Sequence, residues 1–268
     1  MYSIGGAVNV VVCVKQTPDS AAKISVEGGA VTWDTGLVLN PWDEYAVEEV
    51  IRLKEKHGGK ATALCLGAEG AKEALKTCIA MGCDEAVLIA DAALNGSDAL
   101  ATARVLAAAL KKLGEVDIVV FGKQAIDGDT GLVPMAVARR LGWAPLTYTM
   151  HIEADPAAKT IQATRLLEQG KQVVTAKLPA VVGTVKEINE PRYPSFMGIR
   201  KAGKANIPVW SLADVGVDAA SVGAAGSAVQ WPNVYPPPAR EGAVEIIDGS
   251  PEEAAAKLAE KLLADKVI

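Results

Sequence analysis

Short apolar runs alternate along the first half of the chain with stretches whose apolar residues recur at helical spacing. Val8–Val14 (VNVVVCV) is a continuous β-branched run that gives way to the polar segment KQTPDS. A run of this kind predicts a strand buried on both faces and ending in a loop. Lys60–Leu66, Ala86–Ile89 and Val116–Phe121 (VDIVVF) repeat the pattern. Ile24–Val26 and Val31–Trp33 flank Gly28–Gly29 and predict a hairpin. Helices are predicted between the runs, over Pro41–His57, Ala71–Met81, Asp98–Leu113 and Val133–Leu141. At the first of these, Asn40 reads as N-cap, Pro41 fits the first turn, and Asp43 and Glu44 favour the helix N-terminus. Gly58–Gly59 end it. Strand and helix alternate at roughly 25–30 residues, the pattern of a doubly wound, mostly parallel sheet.

The second half reads differently. Tyr148–Glu153, Ile161–Leu167 and Lys171–Lys177 predict an antiparallel addition, and Leu178–Val185 a buried strand that returns to the main sheet. From Pro191 to Pro238, prolines, glycines and alanines dominate with little periodicity. Pro251–Ala264 predicts a terminal helix capped by Ser250, with Leu258, Leu262 and Leu263 in a stripe. The fold class expected is α/β and Rossmann-like. Residues 1–200 are expected to form a nucleotide-binding domain, and residues 201–268 a C-terminal arm and helix that pack on a partner subunit.

Composition narrows the class. Half of the 268 residues are hydrophobic but only 4% are aromatic, which suits β-branched strands between Ala-rich helices. The net charge of −5 argues against nucleic acid as the main partner. No run approaches the ~18 apolar residues of a membrane span. The apolar start lacks a basic n-region, so a first strand is expected rather than a signal peptide, and the location expected is cytoplasmic. Cys13, Cys65, Cys78 and Cys83 form no C-x-x-C pair, and His57 and His151 lack ligand spacing. The cysteines read as small buried hydrophobes, and no metal site is expected.

The segment with most chemistry is Phe121–Pro134, FGKQAIDGDTGLVP. It follows a buried strand and precedes a helix, where open α/β sheets bind ligands. Gly122, Gly128 and Gly131 let backbone approach a ligand, and Thr130 adds a hydroxyl. The amides of Thr130 to Val133 open the next helix, so phosphate is their natural guest. Asp127 and Asp129 suit loop-organising bonds or ribose hydroxyls. Neither G-x-x-x-x-G-K-[ST] nor G-x-G-x-x-G is present. An ordinary βα loop rich in turn residues is the competing reading.

GKQAIDGDTG resembles the nucleotide-binding loop of electron transfer flavoprotein β subunits. V-K-Q-T-P-D (Val14–Asp19), N-P-W-D-E-Y-A-V-E-E (Asn40–Glu49), L-P-A-V-V (Leu178–Val182) and N-E-P-R-Y (Asn189–Tyr193), followed by the basic stretch Arg200–Lys204, are similar to further family motifs in the same order. The resemblance implies an electron carrier subunit with no substrate and no catalytic residue of its own. Its partner would be an α subunit, in a heterodimer that holds the redox FAD between them. It also implies a nucleotide in the β subunit, AMP in most members and a second FAD in electron-bifurcating ones. The pocket it implies is Cys13, Asn40, Pro41, Trp42, Asp43, Leu66, and the loop Gly122, Lys123, Gln124, Ala125, Ile126, Asp127, Gly128, Asp129, Thr130, Gly131, Leu132 and Val133. Gly128-Asp129-Thr130 resembles the bifurcating group, whereas Leu132-Val133-Pro134 departs from it, and AMP is the occupant expected. Arg165 matches a family arginine placed near the shared flavin, although Leu166 replaces the glutamate that usually follows. Tyr193, Pro194, Ser195, Phe196 and Met197 fall where the family has a loop that docks on acyl-CoA dehydrogenase-type flavoproteins, with Phe196 in place of the usual leucine anchor. A nucleotide-dependent hydrolase or ligase, and a plain adenine-nucleotide module, are the competing classes.

Overall fold

The structure is a computed structural model and describes residues 6–238 and 244–268. Residues 1–5 and 239–243, which belong to the expected N-terminal domain and C-terminal arm, lie outside the described residues. Packing divides the chain into two compact units, Met1–Asn233 and Val234–Ile268.

The first unit is built on a nine-stranded sheet. In chain order its elements begin with β1 (Val10–Val14), β2 (Gln16–Pro18), β3 (Ile24–Glu27), β4 (Ala30–Trp33), β5 (Leu37–Leu39) and α1 (Pro41–His57). They continue with β6 (Ala61–Leu66), α2 (Lys72–Met81), β7 (Glu85–Ile89), α3 (Ala99–Leu113), β8 (Ile118–Gly122) and α4 (Val133–Leu141). The antiparallel addition is β9 (Ala144–Asp155), β10 (Thr160–Leu167) and β11 (Gly170–Lys177). Then come β12 (Ala180–Thr184), α5 (Phe196–Lys204), β13 (Val209–Trp210) and α6 (Gly223–Gly226). The sheet order is β11-β10-β9-β12-β8-β1-β6-β7-β13, and β9 through β13 in that order run parallel. β3 and β4 form the expected hairpin, while β2 and β5 pair in a small ladder that periodicity did not announce.

The alternation of β1 shows how the core is divided. Val10, Val12 and Val14 face one side and join a core with α1, α2 and α5. Val11 and Cys13 face the other and join a core with α3 and α4. A strand buried on both faces has no polar side to show, hence its unbroken apolar run. All four cysteines are buried thiols, and burial pushes Cys65 and Cys83 up to about 12.

Packing carries the first unit past the expected boundary at residue 200. Ala202, Ile207, Leu212, Val215 and Val222 are buried in the two cores, and β13 pairs with β7. The segment lacks periodicity because it covers the sheet edge residue by residue, not as a long element. The second unit carries α7 (Pro251–Ala264), closed at its start by the reciprocal capping bonds of Ser250 and Glu253.

The N-E-P-R-Y motif finds its reason here. Arg192 donates from Nε to Glu48 Oε2 at 2.7 Å and from Nη2 to Glu48 Oε1 at 3.1 Å, and from Nη1 to Glu55 at 2.6 Å. The Glu48 carboxylate is buried and also takes Arg52 Nε at 2.8 Å. Burial alone would raise its pKa, but the bonds from Arg192 and Arg52 outweigh it and hold the carboxyl below its usual range. Arg192→Ala leaves Glu48 with Arg52 and the backbone amide of residue 192. Breaking a buried pair usually costs ~3–5 kcal/mol, and the remaining partners reduce that to about 2 kcal/mol. Urea denaturation is expected to show this loss, and to show most of it recovered in the double variant Glu48→Leu, Arg192→Leu.

Candidate functional site

β1 leads through α1 to β6 and through α2 to β7, and the chain then crosses back to place β8 on the other side of β1. The sheet therefore switches direction between β1 and β8, and a crevice opens at their carboxyl ends. A cavity of about 830 Å³ lies there. That falls within the range of roughly 300–1,000 Å³ typical of small-ligand sites.

The crevice exists because β8 ends on a glycine. A β-carbon at Gly122 would lie 2.4 Å from Asp43 Oδ1 and 2.6 Å from the Trp42 carbonyl oxygen. The end of β8 thus touches the first turn of α1. Asp43 Oδ2 accepts the Lys15 amide at 2.8 Å, and the Asn40 side chain and the Gly122 amide lie close enough to favour the charged form of its carboxyl. One side chain ties together the ends of β1 and β8 and the start of α1. Asn40 occupies the N-cap position, but its side chain caps nothing. Its Nδ2 donates to the Gln124 carbonyl at 2.9 Å, and its Oδ1 accepts the Ile126 amide at 3.2 Å. Lys15 Nζ meets Asp127 at 2.6 Å, and Gln124 Nε2 donates to Asp129 Oδ1 at 2.8 Å. The loop after β8 is held from three sides. Asp127 and Asp129 meet it through side-chain partners, Lys15 and Gln124, rather than through Asx-type backbone bonds.

The loop delivers free donors. Among the described residues, the amides of Thr130, Gly131, Leu132 and Val133 make no backbone hydrogen bond, and Leu132 provides no side-chain cap for α4. Four unmet amides at a helix start form an anion site. Gly131 holds the turn with a left-handed φ of 60°. Its β-carbon position meets only the Lys123 carbonyl oxygen, at 3.5 Å, so its requirement is conformational.

Cys13, Asp43, Leu66, Gly122, Gln124, Ala125, Asp127 and Gly128 through Val133 all line the cavity. Asn40, Pro41, Trp42, Lys123 and Ile126 do not line it. Lys123 Nζ lies 5.3 Å from the Trp42 ring centre and 5.8 Å from that of Tyr148, a cation held between two aromatic faces. Arg165 does not line the cavity. On β10, its Nε donates to the Thr147 carbonyl at 2.8 Å and its Nη1 to Gln172 Oε1 at 2.9 Å. The segment Tyr193–Met197 lies elsewhere again. It is not loop throughout: Ser195 accepts the Gly198 amide at 3.0 Å and starts α5 at Phe196. Tyr193, Phe196 and Met197 are exposed by 93%, 76% and 68%.

The wall that sequence reasoning missed follows β7. Asp91, Asn95, Ser97, Asp98 and Thr102 line the cavity there, joined by Val229 and Trp231 from far along the chain. Asn95-Gly96-Ser97-Asp98 carried a turn signal that was legible. Trp231 carried none. No cluster of three His, Cys, Asp or Glu able to hold a metal occurs among the described residues, and no described helix is long and apolar enough to cross a membrane.

A mostly parallel sheet with a crevice at its switch point, and with unmet amides after β8, defines an α/β protein of the doubly wound, Rossmann-like class. The electron transfer flavoprotein domain matches residues 30–215. The chain is 38% identical to the electron transfer flavoprotein subunit beta of Clostridium acetobutylicum, over 97% of this chain and all of that one. It is 37% identical to the subunit of the same name from Megasphaera elsdenii, over 97% and 99% of the two chains. It is 36% identical to the caffeyl-CoA reductase-Etf complex subunit CarD of Acetobacterium woodii, again over 97% and 99%. The chain belongs to the electron transfer flavoprotein β-subunit family.

Burial pushes the Asp43 carboxyl up to about 7, against the opposing effect of Lys15, Asn40 and Gly122. A raised folded-state value means that the folded chain holds the proton more tightly than the unfolded one. The resulting stabilisation is fully present below the ordinary value of 3.8 and is lost as pH rises through about 7. Stability of the ligand-free chain is expected to fall between pH 5 and 7, at a limit of about 1.4 kcal/mol per pH unit. Urea midpoints measured across that window for the wild type and Asp43→Asn check this. The stability of the wild type relative to Asp43→Asn should fall as pH rises, whereas a difference that stays constant would exclude a proton on Asp43.

Proposed function

We propose that this chain is the β subunit of a heterodimeric electron transfer flavoprotein, and that its cavity holds an adenine nucleotide with the phosphate on the Thr130–Val133 amides. The four unmet amides at the cavity edge carry this reading. An anion satisfies them, and Gly122 and Gly131 keep backbone rather than side chains at the approach. The apolar wall from Leu66, Leu94 and Leu106 suits a ring system at the other end. The FAD shared with an α subunit supplies the redox chemistry when bound. The present chain orients the nucleotide, excludes water from it and closes one side of the shared site.

AMP is the occupant proposed. A second FAD is the reading favoured by two observations: the cavity, at about 830 Å³, is large for a mononucleotide, and Gly128-Asp129-Thr130 resembles the bifurcating loop. Nucleotide extraction from the purified heterodimer separates them. One FAD and one AMP per heterodimer are expected, and two FAD without AMP would make bifurcation the function. Gly131→Val places a β-branched residue at a left-handed φ, at a cost of about 1–2 kcal/mol. It is expected to lower both nucleotide content and thermal stability.

The α partner is proposed to receive Val234–Ile268, whose α7 carries the stripe Leu258, Leu262 and Leu263. Arg165 is proposed to stand near the shared flavin and favour its reduced, anionic form. The exposed Phe196 and Met197 are proposed as the anchor for an electron-donating flavoenzyme of the acyl-CoA dehydrogenase type, with electrons passing on to a downstream acceptor. Phe196→Ala is expected to slow reduction by that donor at limiting donor concentration, through a loss of about 2–4 kcal/mol in docking. The flavin spectrum and nucleotide content should stay as they are. Unchanged reduction kinetics would remove Phe196 from the docking site.

A further inference from the structure

The wall opposite the phosphate loop in chain order is a strap that precedes the second unit. It includes a single turn at Ala219–Ser221, then α6, and reaches Trp231. Two glycines let it lie against the start of α3. A β-carbon at Gly223 would lie 2.3 Å from the Ala93 carbonyl oxygen, and one at Gly96 would lie 3.1 Å from Ala224. Side chains then lock it. Ser97 Oγ accepts the Gly223 amide at 2.8 Å, and Ser227 Oγ accepts the Asp98 amide at 2.8 Å. Arg104 donates to the Ser221 carbonyl.

Asp98 is the centre of this fastening. Its Oδ1 accepts the amides of Leu100 at 2.9 Å and Ala101 at 2.8 Å, which caps α3. Its Oδ2 accepts the amides of Ala228 at 2.7 Å and Val229 at 3.2 Å. Burial opposes the charge, but these amides outweigh it and hold the carboxyl below the usual carboxylate range. One carboxylate therefore stops the strap two residues short of Trp231. The indole stands at the cavity rim with 79% of its surface exposed. A large aromatic on an anchored segment, lining a cavity and mostly exposed, presents an unused face.

Spacing decides what that face meets. The free amides follow β8, and the strap is fastened to residues that follow β7. β1 and β6 lie between those strands, so three strand spacings of ~4.8 Å separate them. A nucleotide seated by its phosphate on the amides and lying across the ends of β1 and β6 brings its base to the strap.

We infer that Trp231 is a binding residue of this site: it stacks on the base of the bound nucleotide, and the Asp98 latch sets its position. The inference rests on the adenine-nucleotide reading of the cavity. It adds a contact from a part of the chain more than ninety residues beyond the phosphate loop.

The test uses the complex of this chain with its α partner, stripped of nucleotide, and calorimetric titration with AMP and with ribose 5-phosphate, which lacks the base. Base–aromatic stacking removed by alanine predicts that Trp231→Ala weakens AMP by about 5- to 150-fold. Trp231→Phe should keep AMP affinity within a few-fold of wild type, and Trp231→Ala should leave ribose 5-phosphate unchanged. Equal AMP affinity in wild type and Trp231→Ala would overturn the inference. So would an equal loss for both ligands, which assigns Trp231 to the architecture of the strap. A wild-type complex that binds neither ligand would overturn the nucleotide reading itself.

Discussion

Where β8 ends, its backbone meets the first turn of α1 so closely that Gly122 has no room for a side chain. A β-carbon there would overlap both the Asp43 carboxylate and the Trp42 carbonyl. Much of the site hangs on this contact. Because the two segments touch, Asp43 can take the Lys15 amide while lying against Gly122, and Asn40 can reach across to Gln124 and Ile126. The loop after β8 is thereby fixed at its root, and its far end is left to present amides that take no hydrogen bond among the described residues. Burying a carboxylate beside a strand end is costly in isolation, and the hydrogen bonds to it compensate only in part, which is why its proton is held to about pH 7.

The cavity is also a product of sheet order. Its walls come from the ends of β1, β6, β7 and β8, four strands that are neighbours in space but spread over more than a hundred residues of chain. One wall needs a further return of the chain, from Ser221 to Trp231, to be complete. The surface residues Tyr193, Phe196 and Met197 belong to a different part of the molecule, tied to α1 through Arg192 and Glu48. Helix α1 thus has both tasks: its first turn shapes the cavity, and its later turns anchor the segment that leads to the exposed aromatic residues.

The long periodic elements were legible because a strand buried on both faces must be apolar throughout and a one-sided helix must repeat near 3.6 residues. The strands from β1 to β12 that belong to the main sheet were readable on those grounds, as were α1 to α4 and α7. The loop from Gly122 to Val133 was readable for a related reason, since glycines between a strand and a helix have few other uses. Other features were not. β2 and β5 are three residues each, too short to show a period. α5 carries Gly198 and Gly203 and follows Pro194, so local propensity argues against it; it forms because Ser195 caps it and Gly198 lets it sit against the Ala80 carbonyl. Asn40 had the chemistry of an N-cap, and its side chain was taken instead by a loop eighty-four residues away.

By itself, the sequence determined which of the long periodic segments are strands and helices, that they alternate into a parallel sheet, and that a glycine-rich turn follows the fourth long strand. These are local consequences of side-chain period and backbone freedom. Only the tertiary structure decided that Asp43 would be buried between two strand ends, that the Pro- and Gly-rich segment through Val222 would complete the core, and that Asp98 would hold Trp231 at the cavity rim. Each of these depends on contacts between residues distant in the chain. Such contacts follow from how the elements pack, and neither composition nor period records them.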